Sequence, residues 1–293
     1  MVPPVLTSPT RWDNRLWWSL FPALAVLVVL ACVIAFAATQ GQALRPAADS
    51  ELTSAGMTLA GADEFDGPAW SAPDDRYWDY DTGAGGWGND EQQTYTDSTA
   101  NARLDGSGGL IIEARRSGNG FTSARLVSRK RVEIGFGLLE ARIRMPEGQG
   151  IHPAFWLLGT NVWSAGWPQS GELDVMELVN SGTSYHNAIH GPTVKNPAEA
   201  WKQSADGDAG MNLAHDYHVY QILRAPGTIK IGLDGDVVGS YSRTSTPTGA
   251  DWVFDEPMYV VLNVAVGGDW PGPVAADTRF PATMAVDWIR YWV

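Results

Sequence analysis

Leu139-Glu140-Ala141-Arg142-Ile143-Arg144-Met145 alternates apolar and polar side chains over seven positions. A period of two is the pattern of a strand with one face buried and the other wet. Similar short runs recur at 109–114, 135–145, 152–158, 172–179, 217–223, 228–233, 258–266 and 284–291, set apart by turns such as Asp105-Gly106, Asp234-Gly235 and Pro226-Gly227. From residue 58 onward no stretch holds a helical period for more than about two turns. The domain is therefore read as all-β, and a region of this size fits one two-sheet sandwich.

Within that pattern, Gly171-Glu172-Leu173-Asp174-Val175-Met176-Glu177-Leu178 places three acids within six residues of an apolar strand. On a regular strand Glu172, Asp174 and Met176 would share a face, leaving Glu177 on the other. A one-residue β-bulge near Val175-Met176 returns Glu177 to the acidic face and leaves Leu173 and Leu178 to the core. The two glutamates then stand roughly 13 Å apart at Cα. Their side chains can lean together to the carboxyl separation of about 5–5.5 Å used in retaining glycoside hydrolysis. Three carboxylates so close cannot all ionise cheaply, so one holds its proton as a general acid. A solvated acidic face and a calcium cluster are the alternatives. Trp156, Trp163 and Trp167 upstream, and His190 on the expected next strand, favour a sugar site, because indole rings stack on the apolar faces of sugars.

Residues 1–15 carry Arg11 and Arg15, and residues 16–38 carry no charge. That run is long enough to span a bilayer, and its basic flank predicts a cytoplasmic N-terminus with everything after it exported. It is read as a transmembrane signal-anchor or a signal peptide, with a small-residue cleavage site at Ala35-Phe36-Ala37. The catalytic region is then membrane-anchored outside the cell, or secreted if the segment is cleaved. Cys32, the single cysteine, lies inside the run, so the exported part has no disulfide. Residues 39–57 read as a linker and 58–293 as the domain.

The chain of 293 residues has a net charge of −13 and only four lysines, which excludes an electrostatic grip on nucleic acid. Gly83-Ala84-Gly85-Gly86-Trp87-Gly88 formally satisfies a dinucleotide fingerprint, but no helix follows it and no clear strand precedes it. It reads as a glycine-rich loop at a cleft edge.

Pro153-Ala154-Phe155-Trp156-Leu157-Leu158-Gly159, followed by Trp167-Pro168-Gln169-Ser170-Gly171-Glu172-Leu173-Asp174-Val175-Met176-Glu177, resembles the signature of glycoside hydrolase family 16 in its laminarinase-like, bulged branch. Blocks at 63–67, 85–95, 138–143, 262–272 and 286–290 extend the resemblance, in order, over about residues 60 to 293. It implies a jelly-roll (concanavalin-like) sandwich with a concave cleft and retaining endo-hydrolysis of β-linked glucans or galactans, with no catalytic cofactor. By position it implies Glu172 as nucleophile, Glu177 as acid/base and Asp174 as the nucleophile's helper, with His190 beside the acid/base. Asn89, Arg125, Trp163, Trp167 and Trp270 match positions that line sugar subsites, and Trp156 is read as either core or cleft. Glu64, Gly109 and Asp287 match a structural calcium site. The expected substrate is a neutral β-1,3- or mixed β-1,3/1,4-glucan acted on by a monomer, with membrane contact only through an uncleaved N-terminal helix. A tethered β-glucan-binding module, a transglycosylase and a galactan hydrolase are the alternatives. The chain departs from the family pattern at three places: His152 stands where relatives commonly carry tryptophan, Tyr217 to Arg224 where they commonly carry a Glu-Trp pair, and Ile229 to Asp234 lacks an aromatic pair often found there.

Overall fold

The computed structural model describes residues 52–293. The expected cytoplasmic segment 1–15, the apolar segment 16–38 and most of the linker 39–57 lie outside the described residues. Among those described, no helix is long and apolar enough to cross a membrane. The packed region reaches back past the expected start at residue 58: Leu52 is buried, and its carbonyl accepts a hydrogen bond from Gln221.

Two sheets carry the fold. In the larger, ten-stranded sheet the order is β15 (Asp236–Ser242), β14 (Thr228–Leu233), β13 (His218–Ala225), β8 (Gly137–Arg144), β17 (Ala282–Trp292), β5 (Leu110–Ser117), β6 (Gly120–Ser123) and β3 (Gln93–Tyr95). β1 (Leu59–Asp63) joins it on β17, and β4 (Ala102–Leu104) joins it on β5. The seven-stranded sheet runs β12 (Ala200–Asp208), β11 (Ser184–Pro192), β10 (Glu172–Glu177), β9 (Ile151–Gly159), β16 (Met258–Val266), β7 (Arg125–Val127) and β2 (Asp79–Tyr80). Neighbours are antiparallel except β3 and β6. The described helices are a short turn at Val162–Ala165 and a 3₁₀ turn at Arg243–Ser245.

Alternation along β8 does what its sequence requires: Leu139, Ala141 and Ile143 enter the core between the sheets, and Glu140, Arg142 and Arg144 face outward. β16 and β9 differ. All nine residues of β16 are buried, because Met258, Val260, Leu262, Val264 and Val266 face the core while Tyr259 and Val261 pack on the opposite face with Val127 and Leu158. A strand buried on both faces loses its polar alternation and reads as one apolar run. Arg224 of β13 is the largest polar side chain in the interior. Its guanidinium donates to the carbonyls of Ile134, Gly135, Phe254 and Glu256, tying β13 to two loops at the end of the sandwich.

Candidate active site

β10 lies between β9 and β11 and has the bulge that its acids demand. Against β9, Asp174 pairs with Trp156 and Met176 with the adjacent Phe155, so Val175 is the extra residue. Val175 and Met176 both point into the core, as do Leu173 and Leu178. Glu172, Asp174 and Glu177 emerge together on the other face and line an open cleft of about 500 Å³. Gly171, at φ +75°, turns the chain into β10 where an added Cβ would meet Val253 and Phe254. A side chain there is excluded by both conformation and space.

Each end of the acidic row has its own histidine. His190 stands opposite Glu172 on β11, with Nε2 3.0 Å from Asp174 Oδ2 and 3.9 Å from Glu172 Oε1. The expectation that His190 sits beside Glu177 is therefore corrected: because of the bulge, Glu177 faces His186. The His186 ring turns to Asp206 at 2.9 Å and to the edge of Trp270. Glu177 is instead met from β9, where His152 Nε2 lies 2.8 Å from its Oε1.

Burial raises the proton affinity of both Glu172 and Asp174. Next in size, the charge of Asp174 raises Glu172, to about 8, and the charge of Glu177 raises Asp174. Glu172 and Asp174 behave as a pair that keeps a proton well above the ordinary carboxylate range. Burial opposes a charge on His190 and on His152, yet both are raised, His190 by its hydrogen bond to Asp174 and His152 by its bond to Glu177. Glu91, also in the cleft, is raised by burial against its bonds to Gln93 and Tyr95.

Of the residues expected to bind substrate, Asn89, Arg125, Trp167, His190 and Trp270 all line the cleft. Trp167 and Trp270 stand 50% and 42% exposed, as stacking platforms require. Gly268 lets the loop bearing Trp270 come into contact with the Asn89 carbonyl, and Asn89 Oδ1 accepts from the Trp270 amide. Arg125 lies between the rings of Trp87 and Trp156 and pairs with Asp81. Trp156 is cleft floor: its Nε1 donates to Asn263 Oδ1 at 2.7 Å, and Asn263 Nδ2 in turn donates to the Tyr95 hydroxyl at 3.0 Å. Trp163 is the exception. It is 77% exposed, rides on the short helix after β9, and lies beside Arg129 and outside the cleft lining.

His152, Glu91, Trp87, Asn263 and Lys202 also line the cleft and were not singled out from the sequence as binding residues. His152 was reachable, since 152, 154, 156 and 158 share one face of a strand. Lys202 was not, because β12 (AWKQSADGD) has no apolar period to announce it.

Glu172, Asp174 and His190 are the one set among the described residues whose carboxylate and imidazole donor atoms lie within 4.8 Å of one another, and a cation there would occupy the oxygen of Glu172. The matched calcium positions do not offer free carboxylates. Glu64 is held by Arg290 at 2.8 and 3.0 Å, and Asp287 by Arg142 at 2.6 Å. The Gly109 amide is spent on Asp105.

The family model described as glycosyl hydrolases family 16 matches residues 87–290. A β-glucanase of Rhodothermus marinus is 38% identical over 251 residues, which is 80% of this chain and 84% of that protein. Glucan endo-1,3-beta-glucosidase A1 of Niallia circulans is 33% identical over 81% of this chain and 38% of its own length. The catalytic domain of an endo-1,3-beta-glucanase (laminarinase) from Thermotoga petrophila superposes with a TM-score of 0.71 at 34% identity, covering 81% of this chain and 98% of that domain.

Proposed function

The chain belongs to glycosyl hydrolase family 16, and from that premise we propose an exported, retaining endo-hydrolase of β-1,3- or mixed β-1,3/1,4-glucan. It is a glycoside hydrolase of a family whose chemistry needs no catalytic cofactor. The observation that carries the finer reading is the convergence of Glu172, Asp174 and Glu177 on one face through the Val175 bulge, in a cleft edged by Trp167 and Trp270.

In this mechanism the proton shared by Glu172 and Asp174 rests on Asp174 at the moment of attack, which leaves Glu172 as the ionised nucleophile. Its oxygen bonds to the anomeric carbon as the glycosidic C–O bond breaks. The departing oxygen keeps the electron pair and takes the proton of Glu177. Water then attacks the glycosyl-enzyme, giving its proton to Glu177 while the bond to Glu172 breaks. His190 supports the nucleophile side by its contact with Asp174. Neutral sugar rings suit indole platforms in a strongly acidic protein.

Reducing-end release from laminarin, lichenan, agarose and carrageenan tests the substrate class, and the first two are expected to be cut. No release from any of them refutes the hydrolase reading. A 2-deoxy-2-fluoro glycoside should label Glu172, and Glu172→Ala or Glu177→Ala should lower kcat by at least about 10³-fold. Export rests on the uncharged run at 16–38, and a reporter fused after residue 57 should be active only outside the cytoplasm.

A further inference from the structure

His152 takes a place where the family resemblance expects tryptophan, and that resemblance assigns no role to its contact with Glu177. It lies on the cleft face of β9, nearly buried, with its ring edge-on to Trp270 at 5.1 Å. Nε2 is 2.8 Å from Glu177 Oε1, whereas Nδ1 is buried with no hydrogen-bond partner. The charged groups that act on the ring are Glu177 and Asp174 from β10 and Glu91 from the loop before β3. Ionised Glu177 has only acceptor oxygens, so at 2.8 Å the ring has to present Nε2–H to Oε1. The proton therefore stays on Nε2, and Nε2 donates to Oε1. Glu177 Oε2 forms no hydrogen bond among the described residues.

We propose that His152 is a positioning residue for the acid/base: by donating to Oε1 throughout the cycle, it confines the transferable proton of Glu177 to Oε2, the oxygen left to the cleft. This rests on the reading of Glu177 as acid/base. In the first half-reaction the Oε2 proton passes to the glycosidic oxygen as the C–O bond breaks and Glu172 bonds to the anomeric carbon. In the second, Oε2 takes a proton from water as the water oxygen replaces Glu172. His152 neither gains nor loses a proton in either step. Without it the carboxyl is free to rotate and to carry its proton on the wrong oxygen, and misplacement on that scale costs up to about 10²-fold in rate.

The test compares full-length wild type, His152→Phe and His152→Gln on laminarin and on aryl β-laminaribiosides whose leaving groups run from phenol to 2,4-dinitrophenol. His152→Phe should lose about 10–100-fold in kcat on laminarin with KM nearly unchanged. Its loss in kcat/KM should shrink to under about threefold with dinitrophenolate, which leaves without a proton. His152→Gln, whose amide nitrogen overlies Nε2, should recover most of the activity. Should the Phe variant not fold, His152→Asn carries the same comparison, because its shorter amide does not reach Oε1. A loss that is equal for all leaving groups, or absent, overturns the inference alone. A wild type that cleaves none of these substrates overturns the glucanase reading and this inference with it.

Discussion

Glu172 illustrates how a single residue sets stability against function. Burial, then the charge of Asp174, raises its carboxyl to about 8, whereas in the unfolded chain it titrates with ordinary carboxylates. Between those two values the unfolded chain is ionised while the folded site keeps its proton, so this site makes the fold less stable as pH rises through the window. Below it both states are protonated, and the penalty is absent. Glutamine has no proton to lose. Glu172→Gln should therefore melt roughly 2–6 °C above wild type at pH 7 and nearly with it at pH 4, as read by calorimetry. A variant that melts equally or lower at pH 7 would show that the site carries no such penalty. The acids themselves were legible in the sequence, because E-x-D-x-x-E on an apolar strand fixes a bulge. Which histidine meets which carboxyl was not, because that depends on how β9 and β11, flanking β10 on its two sides, are registered against it across the bulge.

At the scale of the element, β10 owes its chemistry to one extra residue. The side-chain period of a strand is two, so a shift of one position exchanges the cleft and core faces. Deleting Val175 leaves Glu172, Asp174 and Glu177 still alternating on the cleft side, and the variant should keep its fold. Inserting one alanine between Met176 and Glu177 either keeps the bulge and turns Glu177 into the core, where an unpaired carboxyl is costly, or undoes the bulge and puts Met176 among the acids on the cleft face. The insertion should abolish laminarin hydrolysis and lower the urea midpoint clearly below that of the deletion, and equal midpoints would contradict the register argument. The eight apolar runs were legible because each buries at least one face, and all eight correspond to strands. β12 and the short strands β1 to β4, β6 and β7 were harder to see. Edge strands such as β12 bury little, and three-residue strands such as β7 are too short to show a period.

For the whole molecule, the acidity and the substrate are separate matters. Removing residues 1–50, with three basic and two acidic side chains, takes the net charge from −13 to −14, so the acidity belongs to the rest of the chain. A neutral glucan feels no long-range field from it. The kcat/KM for laminarin should change by less than about twofold between 0.05 and 0.5 M salt. A steep salt dependence would instead point to a charged polysaccharide gripped by Arg125 and Lys202. By itself the sequence determined the all-β sandwich, the bulged acidic strand and most of the aromatic edge, because hydrophobic period and acid spacing are local properties of the chain. The tertiary structure alone decided that His190 serves Asp174, that His152 serves Glu177, and that Trp163 lies outside the cleft lining. These are contacts between strands distant in sequence, fixed by sheet register and by the face each side chain takes, and no local pattern records them.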